Sequence, residues 1–246
     1  MSTMSGKAVL VTGGSRGIGA ATVVRLAEEG ADVAFTYVRE EERAREVAAR
    51  VAAAGGKAWP LRADAADAGD AAGAVEWAAD AMGRLDVLVN NAGVGVLGPL
   101  EALTLADVDR VLAVNVRAVF LAAQAAAARM PEGGRIITVG TCMTQRVPGP
   151  GGTLYAMSKA ALMGLNRALA RELGERGITA NVVHPGPIDT DLNPADGPFA
   201  AGQRALTALG RFGAPSEVAA MIAYLAGPGA AYVTGAEFSV DGGHAA

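Results

Sequence analysis

The sequence predicts a doubly wound α/β fold: one sheet of seven parallel strands with helices packed on both faces. Two observations carry that expectation. Short apolar runs alternate with longer helical stretches along the whole 246-residue chain. The runs are also apolar at successive positions rather than at every second one, which marks strands covered on both faces, as parallel strands are.

Residues 8–11 (Ala-Val-Leu-Val) are too short and too apolar for a surface helix and form the first strand. A helix follows over 17–30, with Val23, Val24, Leu26 and Ala27 on its inner side. The next strand is 33–37. Residues 40–54 then carry mixed charge outside and Val47 and Val51 inside, and Gly55-Gly56 stops that helix. A short strand at 58–61 precedes a helix over 66–82 that ends at Gly83. Residues 86–89 are the fourth strand, and 105–129 a long helical region stopped at Met130-Pro131. The remaining strands are 135–139, 179–183 and 237–240, separated by helices over 154–175 and 215–225. No Pro/Ser-rich linker, charge block or internal repeat divides the chain, so residues 1–246 are expected to form one domain.

Composition narrows the function. With 51% hydrophobic and 19% charged residues the chain is not intrinsically disordered. One cysteine, Cys142, excludes a disulfide framework, and two histidines leave no metal-ligand cluster. A net charge of −4 offers no footprint for nucleic acid. The most apolar helical stretch, 118–128, holds Gln124, lies between Arg117 and Arg129, and reads as too short for a bilayer, so no membrane partner is expected. Residues 1–7 are polar and run into a strand without an apolar signal core, so a cytoplasmic protein is expected.

Sheets of this kind bind ligands at the carboxyl ends of their strands. After the first strand comes Thr12-Gly13-Gly14-Ser15-Arg16-Gly17-Ile18-Gly19. Small residues there let the backbone approach a phosphate, and the following helix offers unpaired N–H groups and its positive dipole end. The spacing is G-x-x-x-G-x-G, neither the standard dinucleotide fingerprint nor a nucleoside triphosphatase loop; a tight turn without a ligand is the competing reading. The second strand ends at Tyr37 without an acid to hold a ribose 2′-hydroxyl, and Arg39 follows. Two guanidinium groups, Arg16 and Arg39, suit a 2′-phosphate, so NADP(H) is expected over NAD(H). The competing reading leaves Arg39 solvated, or neutralised by Glu40, Glu41 or Glu42.

Tyr155 and Lys159 are four apart at the start of a helix and share a face. An ammonium beside a phenol favours its ionised form, giving a proton donor and acceptor usable near neutral pH. The chain has only four tyrosines, and arginine far outnumbers lysine, so the pairing is not an arbitrary one.

Together these motifs resemble the short-chain dehydrogenase/reductase family, in the branch near the 3-oxoacyl-[acyl-carrier-protein] reductases. The likeness runs from Lys7 to Gly243. It includes residues 12–19, Asn90-Asn91-Ala92-Gly93, Asn115, Tyr155/Lys159, Pro185-Gly186 with Thr190, Val233-Thr234-Gly235 and Asp241-Gly242-Gly243. It implies a Rossmann fold, a homodimer or homotetramer paired through the long helices, and an enzyme acting on a small carbonyl substrate. Tyr155 would be the general acid, and Lys159 would lower its pKa and hold the nicotinamide ribose. Asn115 would bind a proton-relaying water. Asn90, Ala92 and Gly93 would line the cofactor, Asp64 would touch the adenine, Ile188 and Thr190 would lie on the carboxamide side, and Pro185 and Gly186 would also bind the cofactor. Read from the residues alone, Asn90-Asn91 could equally cap a turn, and a buried Asn115 demands only a polar partner.

One departure stands out. The family's serine after the fifth strand is replaced within Thr138-Val139-Gly140-Thr141-Cys142-Met143. Thr141 keeps a hydroxyl able to polarise a carbonyl, while Cys142 is expected to be a small packing residue. A substrate lid is expected over about 191–209. Met143, Val147, Leu154 and Phe199 would make the pocket partly apolar, with Gln145, Arg146 and Asp191 supplying polarity. Arg146 is either an anion contact or a solvated loop residue. His184 is expected as hydrogen-bonded scaffolding rather than a base, and His244 as exposed or at an oligomer contact. The main expectation is an NADPH-dependent reductase of a ketone or aldehyde. The alternative is a dinucleotide-binding regulator with little turnover, because residues 185–198 resemble those of a regulatory member of the family.

Overall fold

A computed structural model describes residues 3–246; Met1 and Ser2, part of the N-terminal stretch considered above, lie outside the described residues. Seven parallel strands form one sheet: β1 (Ala8–Val11), β2 (Asp32–Tyr37), β3 (Lys57–Arg62), β4 (Val87–Asn90), β5 (Arg135–Val139), β6 (Thr179–Pro185) and β7 (Glu237–Val240). Their order across the sheet is β3-β2-β1-β4-β5-β6-β7. The helices are α1 (Gly17–Glu28), α2 (Glu41–Ala53), α3 (Ala68–Met82), α4 (Leu105–Leu112), α5 (Ala118–Arg129), α6 (Thr153–Leu173), α7 (Ala200–Ala205) and α8 (Pro215–Ala226).

Alternate strand residues feed two cores. Val9, Val11, Val33, Phe35, Val87, Val89, Ile137 and Val139 face α1, α2 and α8 through Leu26, Val47 and Ile222. Leu10, Ala34, Leu88 and Ile136 face the other way, onto Val75 and Ala78 of α3 and Ala122 and Ala126 of α5. This is why the strand sequences are apolar at successive positions. Each fully buried Leu, Val or Phe contributes about 1.5–3 kcal/mol of transfer free energy, so polar substitutions on either face are costly.

The structure corrects the sequence expectations in three places. α3 starts at Ala68 instead of residue 66, because the Asp67 carboxylate caps it by accepting from Gly69 N (2.7 Å) and Asp70 N (3.0 Å). The long helical region is not one α-helix: α4 and α5 are joined by a π turn, Ala113–Arg117, with Asn115 at its centre. The run from Leu105 to Arg129 is, by length and apolarity, long enough to cross a membrane, contrary to the expectation for 118–128. Here Ala118, Ala122, Ala123 and Ala126 are buried within the molecule, α5 against α3. Finally, β6 continues two residues past 183, because His184 and Pro185 pair with Ser239 and Val240 of β7. His184 is therefore a strand residue.

Candidate active site

The carboxyl ends of β1, β2, β4, β5 and β6 converge. The glycine turn after β1 is held from two sides. Gly13 N donates to Thr36 Oγ1 (2.9 Å) and Gly14 N to Thr36 O (2.9 Å) on β2. Asn91 Nδ2 donates to the carbonyls of Thr12 (2.9 Å) and Gly13 (3.0 Å), and Thr12 Oγ1 accepts from Asn91 N and Ala92 N (both 3.0 Å). Asn91 thus fastens two loops, as a turn-capping asparagine would. Gly19 is where the turn closes on itself: a Cβ there would lie 2.1 Å from Gly13 O. Arg16 precedes α1 without capping it, so the first N–H groups, near Gly17, Ile18 and Gly19, have no side-chain acceptor.

Asn90 differs from its neighbour. It is buried, and neither its Nδ2 nor its Oδ1 has a hydrogen-bond partner. It lines a narrow cleft with Thr12, Thr36, Ala63, Ala92 and Val114. A buried amide without partners is costly unless a bound group satisfies it. Ser15 and Tyr37 are half-buried, and Arg16 and Arg39 are exposed. Glu40 pairs with Arg43 and Glu41 with Arg45, so among the described residues no carboxylate neutralises Arg16 or Arg39. Asp64, after β3, closes a turn in which its Oδ1 accepts from Ala66 N (2.9 Å). The unfilled helix start, the orphaned Asn90 amide and the two free guanidinium groups together fit a phosphorylated dinucleotide.

Behind this cleft lies a buried polar group. Asn115 receives the Val94 N–H on Oδ1 (2.9 Å) and donates to Val94 O (2.9 Å) and Ser158 Oγ (3.0 Å). Ser158 Oγ in turn donates to Tyr155 O (2.8 Å), so the π turn is tied to the first turns of α6. Lys159 is buried and donates to Val139 O at the end of β5 (2.8 Å). Burial pushes its pKa down from 10.5 to about 8. Gly93 borders both groups: a Cβ on it would lie 3.3 Å from Lys159 Nζ and 3.4 Å from Asn115 Oδ1.

Thr141 follows β5 in extended conformation, and its Oγ1 accepts from Met143 N (3.3 Å). Its hydroxyl works against the rise in the Tyr155 pKa that burial causes. The expected lowering of the Tyr155 pKa is not what the free protein has. Burial raises it and outweighs the opposing Thr141 hydrogen bond, the Cys142 thiol adding to the rise, because Lys159 turns to Val139 instead of the phenol. Cys142 is buried packing, as expected, and desolvation holds its thiol up at about 11.

Three proposed substrate contacts are committed elsewhere. Gln145 Oε1 accepts from Ser239 Oγ (2.9 Å), Arg146 donates to His244 O (3.2 Å), and Asp191 is paired with Arg43 of α2. His244 is buried, not exposed, and Arg146 fastens the chain beside it. Leu154 is also buried, whereas Val147 and Phe199 are exposed. The segment after β6 begins with Gly186 N bonded to Val240 O (3.1 Å) and continues through Ile188, which bridges to Gly213. Thr190 lies against Gly17, 3.2 Å from where its Cβ would be, which brings this segment over the glycine turn. Beyond it, Asn193 and Gln203 exchange two amide hydrogen bonds (2.8 Å each) and fasten α7 to the segment that precedes it. The turn-capping alternative read from the sequence holds for Asn91, whereas Thr36 and Ser158 carried no sequence signal as site supports.

The chain was compared with known proteins. A family model described as enoyl-(acyl carrier protein) reductase matches residues 13–245. A curated relative, the cyclic-di-GMP-binding biofilm dispersal mediator protein of Escherichia coli, is 46% identical over 98% of both chains. A short-chain dehydrogenase/reductase from Serratia marcescens superposes with a TM-score of 0.98 at 55% identity, covering 99% of this chain and 100% of the other. A short chain dehydrogenase from Burkholderia cenocepacia, in complex with NADP, does so with 0.98 at 52% identity and the same coverage. The fold, the glycine turn and this coverage lead to one conclusion: the chain belongs to the short-chain dehydrogenase/reductase family of oxidoreductases.

Proposed function

We propose that this protein is an NADPH-dependent carbonyl reductase, converting a ketone or aldehyde to an alcohol, with a 3-oxoacyl thioester or a secondary-metabolic ketone as the substrate class. One observation carries the reading. An ammonium, a carboxamide, a phenol and a hydroxyl (Lys159, Asn115, Tyr155, Thr141) are brought together at the strand ends beside the cleft that Asn90 lines. Holding Lys159 there is unfavourable for folding, and dinucleotide binding alone does not call for the phenol and hydroxyl beside it.

Gly13, Ser15, Arg16, Gly17, Ile18 and Gly19 would hold the pyrophosphate, and Arg16 and Arg39, beside Tyr37, the 2′-phosphate. Asp64 and Ala92 would border the adenine side; Asn90, Gly93, Tyr155 and Lys159 the nicotinamide ribose; and Pro185, Gly186, Ile188 and Thr190 the carboxamide side. The bound cofactor supplies the hydride that reduces the carbonyl carbon. Thr141 donates to the carbonyl oxygen and stabilises the negative charge that develops there. Tyr155 delivers its proton to that oxygen; burial keeps the phenol protonated until it is needed. Lys159, on leaving Val139 O, favours the resulting phenolate by charge. Asn115 keeps the first turns of α6 in register through Ser158. The exposed Leu105, Phe120 and Met157 favour assembly as a homodimer or homotetramer through these helices.

The test is titration with NADPH and NADH by nicotinamide fluorescence, followed by a ketone screen of the wild type and Tyr155→Phe. The variant is expected to keep NADPH affinity and to lose turnover roughly a thousandfold. Unchanged turnover, or no binding of either dinucleotide, refutes the proposal. The biofilm-mediator relative favours a second reading, in which the cleft binds a dinucleotide for regulation. Tight binding with no turnover of any carbonyl class selects it.

A further inference from the structure

We infer that His184 is a positioning residue for Thr141, held in one tautomer by Glu237. The argument begins with the fully buried imidazole of His184, at the end of β6. The Thr141 N–H donates to its Nδ1 (3.2 Å). A backbone N–H can only donate, so Nδ1 carries a lone pair and the ring proton sits on Nε2. That Nε2–H meets Glu237 Oε2 at 3.2 Å. Glu237 is fixed in turn through Oε1, which accepts from Arg167 (2.8 Å). Thr144 Oγ1 is 3.4 Å from Nδ1, but its own proton goes to Thr141 O (2.9 Å), so it leaves the lone pair to Thr141.

The space for this ring is provided by Gly140, where a Cβ would lie 2.5 Å from His184 Nδ1 and 2.8 Å from its Cε1. Gly140 and His184 therefore act as a pair: the glycine lets the imidazole under the loop, and the imidazole grips the next residue. Thr141 is thus held at its N–H by His184, at its carbonyl by Thr144 and at its Oγ1 by Met143 N. Those three contacts fix the residue whose hydroxyl lowers the Tyr155 pKa against the effect of burial. A line of contacts runs from Arg167 at the surface through Glu237 and His184 to the reacting hydroxyl.

The catalytic consequence rests on the carbonyl-reductase reading, but the tautomer and the grip on Thr141 can be measured without turnover. The first experiment is nitrogen NMR of isotopically labelled histidine in the free wild-type protein; of its two histidines, the His184 signals are those missing in His184→Asn. The expected pattern is a bare Nδ1 and a protonated Nε2. The opposite tautomer, or a doubly protonated ring, overturns the inference, and His244→Asn assigns the same signals by elimination should His184→Asn not fold.

The second experiment compares His184→Asn, whose amide oxygen replaces Nδ1, with His184→Gln, whose amide nitrogen replaces Nε2. The Tyr155 titration is followed through labelled tyrosine, assigned with Tyr155→Phe. In His184→Asn it matches the wild type. In His184→Gln it moves upward, because Thr141 is no longer held where it lowers the Tyr155 pKa, and kcat falls roughly tenfold with NADPH binding unchanged. Equal behaviour of the two variants overturns the inference. The expected tautomer and a split Tyr155 titration without turnover of any carbonyl overturn the proposed function and leave this assignment standing.

Discussion

Replacing Lys159 with methionine tests whether the buried ammonium is a functional burden on the fold. In the folded free protein the group loses its proton near pH 8, against 10.5 when solvated. Between those values the unfolded chain binds the extra proton, so stability rises with pH, and the full penalty applies below pH 8. At about 1.4 kcal/mol per pH unit that penalty is about 3 kcal/mol. Methionine fills similar volume but gives up the hydrogen bond to Val139 O, a loss of about 1 kcal/mol. The variant is therefore expected to be about 2 kcal/mol more stable than wild type at pH 7. Moving from pH 7 to pH 9 gives back about 1 kcal/mol to the wild type alone, narrowing the gap. Cys142 titrates at about 11 in the folded protein, against 9.0 in the open, and so destabilises as pH rises from 9. Both chains contain it, and its effect cancels in the difference. Urea midpoints of the two proteins at pH 7 and pH 9, at constant ionic strength, read the result. A less stable variant at pH 7, or a difference that does not change with pH, would refute the reasoning.

Two further predictions concern the strand ends. Thr141→Ser is expected to keep or raise kcat and Thr141→Val to lower it about a hundredfold or more, both with NADPH affinity unchanged; equal activity of serine and valine would remove Thr141 from the reaction. Arg16→Ala and Arg39→Ala are each expected to weaken NADPH binding by about tenfold to a hundredfold while leaving NADH unaffected, as fluorescence titration would show, and a parallel loss for both cofactors would mean that neither guanidinium reads the 2′-phosphate.

Much of the fold was legible because the strands are covered on both faces. Val9-Leu10-Val11 and Val87-Leu88-Val89 have to be apolar throughout, and that leaves a clear pattern. Element ends were less legible where a side chain decides them, as Asp67 does for α3. The π turn at Asn115 had no sequence signal beyond a polar residue in an apolar helix, because the turn is closed by partners on Val94 and α6. Polar loop residues were the hardest to place. Gln145, Arg146 and Asp191 carry groups any substrate could use, yet Ser239, His244 and Arg43, all distant in sequence, already hold them.

The sequence by itself determined the α/β class, the glycine turn, the Tyr155/Lys159 spacing and the substitution of Thr141, since each depends on local pattern and backbone geometry. Only the tertiary structure decided that Lys159 is sunk against Val139, that Asn90 is left without a partner, and that His184 grips the backbone of Thr141. Those facts depend on burial and on contacts between strands β4, β5, β6 and β7. Electrostatics and hydrogen-bond satisfaction take their values from surroundings assembled out of distant segments, and no local stretch of chain contains them.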